Sequence, residues 1–382
     1  MKEYKLSELF SLQMGKTPAR DNYTYWSDAE NPWVSIADIS LSDKYINVTK
    51  ECISDAAIRD TNIRCIPQNT VLMSFKLSIG KTAITSRPMY TNEAIMAFIP
   101  KSDTSVLPEY LYYLLLQKEW NTKGNKAVKG ITLNKSSLSN VKIRLHPVDK
   151  QNEIASNLNR VTGVIRYRQQ QLRKLDELVK CRFVEMFGDP VLNPLSWVKN
   201  SLGKLGSLGR GVSKHRPRNA AILLNGSHPL IQTGDVAASN IYIEKYLSTY
   251  SDYGLQQSKK WPENTLCITI AANIAKTAIL KFDSCFPDSV VGFISGKKTH
   301  QIFIHVWFSF FQSILEAQAP QSAQKNLNLK ALKRLQVITP PIHLQNKFAT
   351  FVQQLDKSRF AIQRSLEETQ KLFDSLMQEY FS

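Results

Sequence analysis

Apolar residues recur at alternating intervals of four and three along two stretches of the chain. The first series is Ile154, Leu158, Val161, Ile165, Leu172, Leu175 and Val179, with Arg168 and Arg182 in the same frame. The second is Phe348, Val352, Leu355, Ile362, Leu366, Phe373 and Leu376, with Arg359, Thr369 and Tyr380 in frame, and it repeats the first at an offset of 194. This period predicts long helices whose apolar seam packs on another helix, and each is the natural partner of the other. Pro147 and Pro341 stand where helix starts tolerate proline, and Gly188 followed by Pro190 closes the first helix. Arg168 answers Ile362 and Ile165 answers Arg359; charged seam positions cost stability and fix register, so a defined helix pairing is expected.

Shorter apolar runs between turn residues predict strands at Val34–Ile39, Thr70–Phe75, Ala83–Thr85 and Ala94–Ile99. Their counterparts are Leu230–Val236, Thr265–Ile270, Ala278–Lys281 and Val290–Ile294. Glu109–Trp120 reads as a helix, and the apolar run Ile302–Leu315 as its buried equivalent. The same offset governs a longer match: Leu133, Asn134, Leu138, Pro147, Gln151 and Asn152 answer Leu327, Asn328, Leu332, Pro341, Gln345 and Asn346. Upstream, Ile66–Val71 answers Trp261–Leu266, and Lys81–Ile84 answers Lys276–Ile279. A period this long is a duplicated domain rather than a solenoid unit. The expected fold is mixed α/β: two repeated globular domains at 1–146 and 190–340, joined by two long antiparallel coiled-coil helices at 147–189 and 341–382, with pseudo-two-fold symmetry. Pro190 and Pro194 make the junction at Gly188–Trp197 short and stiff.

Size agrees, since 382 residues exceed one comfortable core. The five cysteines are widely spaced and never form a C-x-x-C pair, which argues against a disulfide framework or a zinc site and for a reduced cytoplasm. No signal peptide is read at Met1–Arg20, and the longest apolar run is too short for a membrane span. The net charge of +17 changes the picture most, because a protein this basic meets polyanions. Residues 1–146 hold 19 basic against 14 acidic side chains and 191–340 hold 17 against 7, while the helical segments are nearly balanced.

Chemistry-bearing motifs are weak. Gly15-Lys16-Thr17 and Gly80-Lys81-Thr82 invite a phosphate-loop reading, but the required earlier glycine is replaced by Phe10 and Phe75, and Gly80 is answered by Ala275. The glycines of Leu202–Gly211 are in the wrong order for a dinucleotide fingerprint and read as turns. The histidines lack metal-ligand spacing, no serine sits in a nucleophile elbow, and His146 and His343 near helix starts read as capping or surface residues. Asn193-Pro194-Leu195 and Thr339-Pro340-Pro341-Ile342 do not supply an amino-methyltransferase loop. No catalytic or metal residue is assigned. Basic clusters occupy predicted loops instead: Arg210, Lys214, Arg216 and Arg218, with Lys16 and Arg20 as the first-half counterpart; Lys123, Lys126 and Lys129; Lys259 and Lys260; Lys297 and Lys298. With Lys76, Lys81 and Lys276 these are the candidate DNA contacts, able to neutralise phosphates or reach base edges.

Two basic domains, each followed by an L-N…L…(I/V)…P-P-x-x-x-Q-x-x-(I/F) segment running into a long helix, resemble the specificity subunit of Type I restriction-modification enzymes. The best carriers are Leu133–Ile154, Leu327–Phe348, Phe183–Asp189 and Trp197–Leu205; His146 departs from the pattern where the second copy has Pro340. The resemblance implies two target-recognition domains that each read half of a split double-stranded DNA sequence, and helices that act as a ruler and as the dock for two methyltransferase subunits. S-adenosylmethionine, ATP and magnesium would belong to those partners and to restriction/translocase subunits, with no cofactor in this chain and no membrane partner. A fused restriction-methylation module would need catalytic motifs absent here, and a coiled-coil adaptor would leave the basic excess of the globular halves unexplained.

Overall fold

The computed structural model describes residues 1–76, 78–118, 120, 133–271, 274–318 and 328–382. They form two compact units, one comprising Met1–Tyr167 with Leu366–Ser382 and the other Arg168–Ser365.

In the first unit a five-stranded sheet runs in the order Phe10–Met14, Ile95–Pro100, Val71–Ser74, Thr82–Thr85, Tyr45–Ile46. Neighbours are antiparallel except the last pair, which is parallel. Val71–Ser74 and Thr82–Thr85 are buried at every position, because both faces of the sheet are covered; Val71, Leu72, Met73, Ala83 and Ile84 accordingly show no polar alternation, and the buried hydroxyls of Ser74, Thr82 and Thr85 at the strand ends are hydrogen-bonded. One face packs on the helix Pro108–Gln117 and on Leu6, Ile154 and Leu158, and the other on Val34, Ile39 and Ile46. A smaller sheet, Glu51–Ile53, Asn31–Val34, Tyr90–Thr91, carries the buried Trp33.

The second unit repeats this plan. Its five strands run Gly206–Arg210, Val290–Ser295, Leu266–Thr269, Thr277–Leu280, Tyr242–Ile243, with the same alternation of antiparallel and parallel neighbours. The helix Gln301–Gln318 takes the place of Pro108–Gln117, and the smaller sheet has four strands.

The repeated motif has a structural cause at each position. Asn134 and Asn328 are helix N-caps, each accepting a backbone N–H at 2.8 Å, from Ser137 and Ala331. Leu138 and Leu332 are fully buried behind them. Gln151 and Gln345 are buried amides. Gln345 Oε1 accepts from the His300 N–H at 3.0 Å, and its Nε2 donates to Pro340 O at 2.8 Å and Lys298 O at 3.2 Å. Gln151 Oε1 accepts from the Leu107 N–H at 3.0 Å, and its Nε2 donates to His146 O at 3.0 Å and Ser105 O at 3.2 Å. Each glutamine ties the start of a long helix to the loop before a domain helix. Asn69 and Asn264 both turn with positive φ, 59° and 63°, as do Gly80 and Ala275, at 89° and 61°. Gly80 and Ala275 each donate to the residue six earlier, Ser74 and Thr269, at 2.9 Å. The second Gly-Lys-Thr is therefore a hairpin turn.

The long helices span Val148–Phe187 and Ile342–Phe381, 40 residues each. In the first unit Ile154 and Leu158 are fully buried, sharing a core with Phe373, Leu376 and Met377, and Asn157 Nδ2 donates to Tyr380 Oη at 3.2 Å. In the second, Val179, Phe183 and Phe187 share a core with Phe348 and Val352, and Arg359 bonds Asp176 at 2.5 Å. Phe183 meets Phe348 edge-on at 5.5 Å. Within the second unit, then, contacts at 176 and 183 fall on 359 and 348, so the two segments there run antiparallel. Val161, Ile165, Leu172, Leu175, Leu355, Ile362 and Leu366 are half-buried.

Four expectations are corrected. Val34–Ile39 is not one strand: the strand ends at Val34, Ser35 caps a helix at Ile36–Leu41, and Asp38 returns a bond to the Ser35 N–H at 2.7 Å. Likewise the strand at Leu230–Val236 stops at Leu230, and a helix spans Thr233–Ala238 behind Gln232 and Asp235. Gly206 and Gly209 are not turn residues but lie in the edge strand, where a Cβ on Gly209 would stand 2.9 Å from the Trp261 ring. The domain helix ends at Gln117 rather than Trp120.

Candidate nucleic-acid interface

In each unit a basic loop leaves the edge strand at one end of the five-stranded sheet. In the first unit that strand ends at Met14, and a Cβ on Gly15 would lie 2.0 Å from Thr91 O; only glycine lets the chain pass. The next residue is pinned, its N–H donating to Thr91 O at 2.9 Å and its carbonyl accepting from Trp33 Nε1 at 3.0 Å. This is Lys16, whose Nζ bonds Thr61 O at 2.8 Å. Arg20 closes the loop with both Nη groups on the Glu51 carboxylate, at 2.6 and 3.0 Å, and its guanidinium lies 3.9 Å above Trp26. The hydrogen bond from Arg20 holds Glu51 below the usual carboxylate range, against the opposing effect of partial burial. Thr17 Oγ1 donates to Glu93. Partial burial pushes that carboxyl upward, but the Thr17 bond and the charges of Lys76 and Arg20 outweigh it and leave it lowered.

Met14 and Met73 both pair with Met96, so the hairpin turn after Ser74 projects from the same sheet end as the basic loop. This places Lys76 and Lys81 there, Lys81 Nζ bonding Ser40 Oγ at 2.6 Å. The register repeats in the second unit, where Arg210 and Ile268 both pair with Val291, and Lys276 sits at the same end with its Nζ on Gln312 Oε1 at 3.2 Å.

The second unit's loop is longer. Arg210 Nε donates to Asp288 O at 2.9 Å, and Arg218 Nη2 to the Asp288 carboxylate at 2.7 Å. Arg216 folds back on the carbonyls of Ser213 and His215, at 2.6 and 2.8 Å. The backbone N–H groups of Lys214 and His215 share Gln257 Oε1, at 2.7 and 3.0 Å. Ser258 Oγ bonds Val212 O at 2.8 Å, which brings the exposed Lys259 and Lys260 alongside, Lys259 Nζ lying 3.9 Å over the Trp261 ring.

Among the candidate contacts, Lys16, Arg20, Lys76 and Lys81 thus gather at one sheet end in the first unit, and Arg210, Lys214, Arg216, Arg218, Lys259, Lys260 and Lys276 do so in the second. Lys297 and Lys298 do not join them. They follow Ser295, which pairs with Gly206, and so lie at the opposite end, where Gln345 bonds the Lys298 carbonyl. Lys123, Lys126 and Lys129 lie outside the described residues. Sequence reasoning missed Glu51, Asp288 and Gln257, because the partners of Arg20, Arg218 and Lys214 lie 31, 70 and 43 positions away.

Among the described residues no three His, Cys, Asp or Glu side chains are grouped to hold a metal ion, and no helix is long and apolar enough to cross a membrane. His146 Nδ1 is bonded to the Tyr110 hydroxyl at 2.9 Å.

The family described as Type I restriction modification DNA specificity domain matches the chain twice, at residues 1–177 and 194–370. The Type I restriction enzyme MjaIX specificity subunit of Methanocaldococcus jannaschii is 23% identical over 402 residues, covering 98% of this chain and 90% of that protein. The Type I restriction enzyme EcoprrI specificity subunit of Escherichia coli is 26% identical over 121 residues, covering 31% of this chain and 30% of that protein. Among solved structures, the S subunit of a Type I restriction-modification system from M. genitalium superposes with a TM-score of 0.56 at 13% identity, over 100% of this chain and 96% of that one. A chain from a study of complex assembly and conformational transition of the type I R-M system gives the same score at 15% identity, over 99% and 96%. At these identities the structural likeness shows the fold.

Proposed function

Since the chain belongs to the Type I restriction-modification DNA specificity family, we infer that it is the DNA-reading subunit of a restriction-modification assembly. It recognises a two-part target, each unit reading one half through the loops at its sheet end. In this reading residues 1–146 and 190–340 are the target-recognition domains, and 147–189 and 341–382 are the spacer helices that carry the seam. The observation that supports it best is the repeated placement of a basic loop on the same strand at the same sheet end. Lysine and arginine there can neutralise phosphates and position the duplex, while adjacent polar groups address base edges.

The chain would carry no catalysis itself. Two methyltransferase subunits would seat on its repeated halves, since a duplicated body offers the same partner two equivalent surfaces. S-adenosylmethionine would be held by those subunits, and ATP and magnesium by a restriction subunit.

Exchange of residues 1–146 for the matching domain of a relative tests the reading. Sequencing of methylated DNA from cells carrying the chimera with its methyltransferase should show one half of the motif changed and the other kept. Changes in both halves would contradict independent readers, and methyl transfer by the purified chain alone would contradict a non-catalytic role.

A further inference from the structure

One acidic residue holds both ends of the second unit's basic loop. Asp288 takes Arg210 through its backbone carbonyl and Arg218 through its carboxylate, at 2.9 and 2.7 Å. The chain after Arg210 is laid against the same segment: the Gly211 N–H donates to Val290 O at 2.9 Å and the Val212 N–H to Phe286 O at 3.1 Å. The approach is so close that a Cβ on Gly211 would stand 2.2 Å from Phe286 O. From the other side Gln257 fixes the middle of the loop through two backbone N–H groups. These bonds brace the loop from both sides.

Stability does not account for the Arg218–Asp288 pair. Its side chains are 46% and 35% exposed, and an ion pair so open to water adds little to folding. What the pair does accomplish is orientation. The carboxylate takes Arg218 through Nη2, so the guanidinium keeps N–H donors for an acceptor pair outside the protein. A braced arginine also loses less freedom on binding than an unbraced one. The matching acceptor pair in a DNA groove is O6 and N7 of guanine. Arg20 in the first unit is arranged differently, since Glu51 engages both of its Nη groups and closes the fork.

We propose that Arg218 reads a guanine in the half-target addressed by the second unit, and that Asp288 is its positioning residue. This rests on the DNA-reading function inferred above. The test co-expresses the full chain with its methyltransferase and maps methylated sites by sequencing. Arg218→Lys keeps the charge and removes the fork. It should relax one guanine position, in one half of the motif only, with discrimination falling about ten-fold. Asp288→Asn should relax the same position and Asp288→Glu should restore it, a rescue that a purely structural role would not produce at a single base. If both Arg218→Lys and Asp288→Asn leave the motif unchanged, or weaken all positions alike as loss of a phosphate contact would, the proposal is overturned. If Asp288→Asn fails to fold, Arg218→Lys decides alone. A wild-type chain that directs no two-part motif overturns the functional reading, and this proposal with it.

Discussion

Replacing Gln345 with methionine isolates what the glutamine of the repeated motif contributes. The substitution keeps length and flexibility and removes the amide. The His300 N–H loses its acceptor, and the Pro340 and Lys298 carbonyls lose a donor. Thr299 Oγ1 also loses its bond to Oε1, at 3.2 Å. A buried donor left unsatisfied costs about 1–3 kcal/mol, and the second lone pair of each carbonyl softens the remaining losses, so the second unit should lose about 2–4 kcal/mol. Because the chain has two units, a single unfolding transition would blur the effect, and hydrogen exchange followed by mass spectrometry is the better assay. A loss of 2 kcal/mol corresponds to about 30-fold faster exchange in the strands buried at every position, Leu266–Thr269 and Thr277–Leu280, where exchange requires the unit to open. Gln151→Met should do the same to the first unit, in Val71–Ser74. Exchange within about three-fold of wild type for Gln345→Met would refute the assignment of the amide as a structural tie.

Three further outcomes are expected. His305 bonds Thr277 Oγ1 at 2.9 Å and burial lowers its pKa to about 4, so the unfolded chain binds its proton first as pH falls; stability of the second unit should drop between pH 6.5 and about 4, by roughly 2 kcal/mol after allowing for partial solvent access, and His305→Asn should flatten that part of the denaturation profile. Gly211→Ala would place a Cβ 2.2 Å from Phe286 O, so the basic loop or the Phe286–Pro287 backbone must shift; DNA binding should weaken by about 1–3 kcal/mol in a titration and the thermal melt should fall with it. Asn134→Ala and Asn328→Ala should each cost about 1 kcal/mol of unfolding free energy in their own unit, and equal losses would match the equivalence of the two caps.

The parts of this molecule legible in the sequence are those in which a local period maps onto a local shape. The seams of Val148–Phe187 and Ile342–Phe381 are legible because a helix returns to the same face every seven residues, and the buried strands because sheets covered on both faces favour apolar residues at successive positions, with polar residues confined to the strand ends. The capping boxes at Ser35 and Gln232 stayed hidden because their apolar flanks continue the strand pattern, and only the return of Asp38 and Asp235 breaks it. Gly206–Arg210 reads as a turn until Trp261, far along the chain, is seen to require glycine opposite it. The basic loops could be located from charge, but the groups that orient them could not. Glu51, Asp288 and Gln257 reach their partners through tertiary folding, which no window of neighbouring residues contains.

Each buried glutamine also sets an angular tolerance. Each long helix runs about 30 Å, roughly 20 residues, in the unit where it starts, so it acts there as a lever on which one degree of play at the root displaces the last turn by about 0.5 Å. Gln151 and Gln345 sit at those roots, and each fastens the first turn of its lever through three or more hydrogen bonds to the loops beside it. A protein that must place side chains against base edges tolerates displacements of only a fraction of a hydrogen-bond length. The amide at the pivot is therefore an alignment device as well as a stabilising tie, because it sets the angle at which the helix leaves the loops of its own unit.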